Sequence, residues 1–192
     1  MKNKDIEINI DFIKSTIEEM QSDFFNNELF AYMALNGGYE LPFQSNLGKK
    51  IQDKLGENYW VHTNKNKIDI LIKDLKNNTF IAAIEVGHYQ LQQKYSSNSK
   101  IQSDIFKKKE KFMCQVFHIF LLTDIGLETR TNDSITKYGS IRKVSLDEYS
   151  KAYGQIEGNN KVIQGHPFSY FGFKINYSIF VSGPFATDKK ID

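Results

Sequence analysis

Two carboxylates stand out because each is set in a run of aliphatic residues: Asp69 between Ile68 and Ile70, and Glu85 between Ile84 and Val86. A charge inside such a run costs energy unless it is solvated, paired or bound to metal. Two acids on one face of a sheet, with backbone carbonyls and waters beside them, offer the hard oxygen ligands that Mg²⁺ or Mn²⁺ prefers. Such a cation polarises a phosphodiester and lowers the pKa of an attacking water, which is metal-assisted phosphodiester hydrolysis. The plainer alternative leaves one acid in solvent at a sheet edge and pairs the other with a lysine such as Lys67.

Whether the acids can cooperate depends on the elements that carry them. Residues 67–72 and 80–86 are β-rich runs separated by a mostly polar stretch, which predicts an antiparallel hairpin. Side chains alternate faces, so register decides the outcome. A hairpin centred on Asn77 sets Asp69 directly opposite Glu85. A two-residue turn at Asn77 and Asn78 sends them to opposite faces, unless a bulge restores the match.

Around that hairpin the periodicity predicts further elements. Ile10, Ile13, Ile17, Met20 and Phe24 recur at helical spacing over residues 9–26, and a second helix spans 28–35, ending at Gly37 and Gly38. After Pro42, residues 45–55 place Leu47, Ile51 and Leu55 four apart, with Ser45 or Asn46 to cap the helix and Gly56 to end it. A strand begins at Tyr59 and Trp60. Beyond the hairpin, Ile101, Ile105, Phe112, Met113 and Val116 describe another helix containing Cys114 as a buried thiol, followed by a fully buried strand over 117–122. The remainder predicts a short strand at 141–144, a helix from Leu146 and an aromatic strand region over 168–181.

Helix, three-strand meander, helix, strand: in that order, with Ile68-Asp69-Ile70 on one strand and Ile84-Glu85-Val86 on the next, residues 40–123 resemble the PD-(D/E)xK nuclease superfamily. The resemblance implies an α/β fold with a restriction-endonuclease-like core, a mixed central sheet flanked by helices. It also implies a divalent-metal-dependent nuclease hydrolysing DNA phosphodiester bonds with Mg²⁺ or Mn²⁺, in the manner of a small type II restriction endonuclease. Because one such site cuts one strand, a homodimer is expected. Asp69 and Glu85 then hold the metal, and Glu40, ahead of the helix that feeds the sheet, is a further ligand; Glu28, one helix earlier, is its rival.

Gly87 departs from the pattern, standing where the superfamily has the lysine that orients the water. His88 is the first replacement to consider, since a bulge at Gly87 would turn it toward the acids. Lys107 follows, then Lys94 and Lys100. Gln102 could touch a phosphate, and Lys108, Lys109 and Lys111 form a basic cluster suited to a nucleic-acid backbone. The alternative is an inactive nuclease-fold module that binds nucleic acid or a protein partner, with Gly87 marking the lost enzyme.

Composition adds boundaries. A chain of 192 residues, 40% hydrophobic, supports a single domain, with residues 126–192 free for recognition or dimerisation. Net charge of +2 confines any nucleic-acid contact to local lysine clusters. A single cysteine excludes an internal disulfide framework. No signal peptide or membrane-length apolar run is seen, so a cytoplasmic location and no membrane partner are expected. His118 lies in an apolar strand and reads as a core histidine; His62 and His166 show no ligand spacing. Gly-rich phosphate loops, Gly-x-Ser-x-Gly elbows and zinc spacings are missing.

Overall fold

The computed structural model describes residues 6–25, 28–36, 38–65, 68–90, 114–127, 160–165, 168–170 and 172–185. Lys94, Lys100, Gln102, Lys107, Lys108, Lys109, Lys111 and His166, most of the helix expected from Ile101, the strand expected at 141–144 and the helix expected from Leu146 lie outside them.

Three helices come first. α1 (Ile10–Met20) is capped by Asn9, whose side chain accepts from the Phe12 amide at 2.9 Å, and continues as one π-helical turn through Phe25. α2 is Glu28–Asn36 and α3 is Glu40–Leu55. α3 therefore starts five residues before the expected Ser45, and Pro42 lies inside its first turn rather than before the helix. Proline is tolerated there because the first amides of a helix have no intrahelical acceptor. The shift moves Glu40 from a preceding loop onto the first turn of α3.

The strands are β1 (Tyr59–Lys65), β2 (Ile68–Asp74), β3 (Thr79–Gln90), β4 (Gln115–Leu127), β5 (Asn160–Gln164), β6 (Phe168–Tyr170) and β7 (Phe173–Phe185). They form one mixed sheet in the order β1-β2-β3-β4-β7-β5, with β6 also on β7. β1, β2 and β3 make an antiparallel meander, while β3 and β4 run parallel. Parallel neighbours need a crossover, and residues 91–113 between them lie outside the described part.

Val116, expected in a helix, is a strand residue, and Cys114 sits at the bend just before β4. Its thiol is buried as expected, and burial pushes its pKa up to about 11. The late aromatic region divides at Gly172, whose φ of +75° turns the chain between β6 and β7.

One face of the sheet carries the helices. Ile13, Ile17, Phe25, Phe30, Phe43, Leu47 and Ile51 pack there on Ile70, Ile72, Ile84, Phe117, Ile119, Ile179 and Val181. The other face buries Leu71, Ala83, Val116, Phe120, Leu122 and Phe180. β7 supplies both faces, so the C-terminal strands are part of the core rather than an appendage to it. Among the described residues no helix is long and apolar enough to cross a membrane.

Candidate functional site

The β2–β3 hairpin turns through residues 75–78 rather than through the two-residue turn at Asn77 and Asn78, and it carries the bulge that was the other possibility. Its turn pairs Asp74 with Thr79 and Lys73 with Phe80, the register that would part the two acids. Between Ile72 and Lys73 the ladder shifts by one, leaving Ile81 as the extra residue, after which Ile72 pairs with Ala82 and Ile70 with Ile84. The ladder ends at that pair, one residue short of Asp69 on β2 and of Glu85 on β3. The turn is tightened by Asp74, whose carboxylate accepts from the backbone amides of Lys76 and Asn77 at 2.8 and 3.2 Å. Asn78 takes a positive φ of 57°.

Asp69 Oδ2 accepts the Val86 backbone N–H at 2.7 Å. Backbone amides lie in the plane of a sheet, so this bond draws the Asp69 carboxylate to the seam between β2 and β3. Glu85 is 8% exposed, on the face opposite the helices, since its neighbours Ile84 and Val86 both join the helix-side core.

Glu40 approaches from the helix side. Its half-buried carboxyl is held above the usual carboxylate range, first by desolvation and then by the charge of Asp69, which puts the two acids within electrostatic reach. Gln44, one turn along α3, donates from Nε2 to Glu40 Oε1 at 3.3 Å. Gln44 is only 1% exposed, and its Oε1 has no hydrogen-bond partner among the described residues. Glu28, the rival glutamate, opens α2 with its side chain exposed.

His88 does not gain the bulge it needed. The β3–β4 ladder runs unbroken from Ala82 to Gln90, pairing Gly87 with Phe120 and His88 with Leu121 with no register shift at Gly87. Gly87 permits a bulge without imposing one, and the parallel ladder is satisfied by a regular strand. What does stand beside Glu85 is His118, its ladder partner on β4, 6% exposed. Glu85, His118 and Ser182 thus make a polar row across three adjacent strands, β3, β4 and β7. The sequence places His118 in the core correctly but gives no sign of this row, because neighbours across a sheet are far apart in the chain. Gln44 was missed too, although its spacing four residues after Glu40 on a helix is a legible signal.

Carboxylate oxygens suit a hard divalent cation, and Glu40 and Asp69 are a pair within electrostatic reach of each other. No three His, Cys, Asp or Glu side chains among the described residues converge closely enough to hold a metal. Mg²⁺ commonly takes only one or two carboxylates and completes its shell with water and substrate phosphate, so a two-acid site remains chemically sufficient.

By architecture the chain is an α/β protein with helices on a mixed sheet. No protein-family model, curated protein or solved structure matches it.

Proposed function

We propose that this protein is a divalent-metal-dependent nuclease with a restriction-endonuclease-like core, hydrolysing DNA phosphodiester bonds at a site built on Asp69 and Glu85. The observation that carries the proposal is the bulge in β3, which brings Ile70 opposite Ile84, together with the Asp69 carboxylate bonded to the Val86 amide, next in the chain after Glu85. Support comes from the order α3, antiparallel meander, parallel β4, and from Glu40 lying close enough to Asp69 to feel its charge. Asp69 and Glu85 would hold Mg²⁺ or Mn²⁺, with Glu40 joining from the helix side only through water. The bound cation would supply charge neutralisation and an activated water. A homodimer would present two such sites to the two strands of a duplex.

Calorimetric titration of Mn²⁺ into wild type and Asp69→Ala tests the site. Wild type should bind and the variant should lose binding by tenfold or more, about 1.4 kcal/mol or above. Supercoiled plasmid incubated with wild type and Mg²⁺ or Mn²⁺ should be nicked or linearised. Absence of both binding and cleavage would leave the inactive, nucleic-acid- or protein-binding module, the reading that Gly87 favours.

A further inference from the structure

We propose that His118 takes the place of the motif lysine that Gly87 has vacated, its imidazole holding the attacking water and accepting its proton; this rests on the nuclease reading above. By strand alternation, residue 87 shares a face with Glu85, the face where the lysine would emerge. A Cβ added at Gly87 would lie 3.7 Å from His118 Nε2, 3.8 Å from His118 Cε1 and 3.5 Å from Phe120 Cδ2. A side chain at residue 87 would thus start in ordinary contact with the Phe120 ring and with the Nε2–Cε1 edge of the imidazole, so that edge lies where the motif lysine would begin. His118 is also the ladder partner of Glu85 on β4, so one ring borders both positions of the Glu-x-Lys pattern. Its near-complete burial fixes it there. Chain distance hides the substitution: the functional cation of a β3 motif is replaced by a residue 31 positions later, on the parallel neighbour strand.

In the step this assigns, the water oxygen bonds to phosphorus as its proton passes to His118 Nε2. The bond from phosphorus to the 3′ oxygen breaks, and its electron pair goes to that oxygen, which takes a proton from solvent. The imidazolium then returns its proton to solvent.

The same geometry makes an exchange test. A lysine at residue 87 would run alongside the His118 ring, and removing the ring frees the position that its amine would take over. Single-turnover plasmid cleavage with Mn²⁺ is measured for wild type, His118→Gln, His118→Ala and His118→Ala combined with Gly87→Lys, each checked for folding by its urea midpoint. Mn²⁺ affinity is measured in parallel, with Asp69→Ala as reference. Gln keeps a hydrogen-bonding group near the Nε2 position and guards against a folding defect in the alanine variant, but it cannot take a proton. Both single variants should keep wild-type Mn²⁺ affinity and cleave about a hundredfold or more slower. The double variant should recover cleavage over His118→Ala. Wild-type rates in His118→Gln would overturn this assignment alone, as would loss of Mn²⁺ affinity matching Asp69→Ala. A wild type that cuts under neither Mg²⁺ nor Mn²⁺ would overturn the nuclease reading and the role of His118 with it.

Discussion

Glu40 is the residue at which the candidate site leaves a mark on the metal-free protein. Desolvation and the nearby Asp69 charge both resist its ionisation, so the folded state holds that proton more tightly than the unfolded chain does. Between the ordinary carboxylate value and the raised folded one, the folded state therefore binds more protons, and stability falls as pH rises through that window. Glu40→Gln removes the titration while retaining an oxygen to accept from Gln44 Nε2. In chelator, the urea midpoint of wild type should decline relative to Glu40→Gln as pH goes from about 4 to about 7. With Mn²⁺ the order should reverse, because the cation rewards the ionised carboxylate and the glutamine offers less. Parallel pH curves for the two proteins would mean that Glu40 and Asp69 do not interact. At this scale the sequence was informative about types and poor about partners. Asp69 and Glu85 are visible as charges in apolar runs, and Glu40 was singled out. His118 was not, since a histidine in an apolar strand looks the same whether or not an acid lies beside it.

The β2–β3 hairpin is the element on which the site depends, and its bulge is a geometric correction. Ile81 packs toward the helix-side core while the residues beyond it resume alternation, so one extra residue compensates the even-numbered turn. An alanine inserted between Ala83 and Ile84 would undo this. The strand would then need a second irregularity, at about 1–3 kcal/mol, or would turn Glu85 into the apolar layer beneath the helices. Mn²⁺ binding should be lost in that variant. Deleting Ile81 instead keeps Ile70 opposite Ile84, and binding should survive; cross-strand nuclear Overhauser contacts between Ile70 and Ile84 would verify the register in each case. From sequence, the two strands were clear, but a bulge in β3 leaves no compositional trace. Elsewhere, strong periodicity misled or fell silent. Val116 joined a helical pattern by accident of spacing from Met113, and β5, with only Val162 and Ile163 between polar residues, carries too little apolar signal to be seen.

Across the whole molecule, the two ends of the chain close on each other. The Phe25 ring after α1 stacks on Tyr177 of β7 at 4.6 Å with 17° between planes, and Phe30 meets Phe25 edge-on at 4.9 Å. Gln21 Nε2 donates to the Gln164 carbonyl at 3.2 Å, joining that same helical layer to β5. Gly165 follows β5 directly under the Tyr177 ring: its amide donates to the Tyr177 carbonyl at 3.0 Å, and a Cβ there would clash with three carbons of the ring. The constraint is space rather than backbone conformation, because the ring is backed by Phe25 and has nowhere to retreat. Gly165→Ala should therefore cost about 1–3 kcal/mol, lowering Tm by several degrees, while Mn²⁺ affinity at the distant β2–β3 seam is retained. Gly172→Ala is the matched contrast, since φ is +75° there but nothing lies within 4 Å of the added methyl, and only a conformational cost of about 1 kcal/mol applies. If thermal denaturation found the two variants equally mild, the Tyr177 ring would have to be free to move. The coupling of the N-terminal helices to the last strands would then rest on the sheet ladder of β4 and β7 rather than on the aromatic stack.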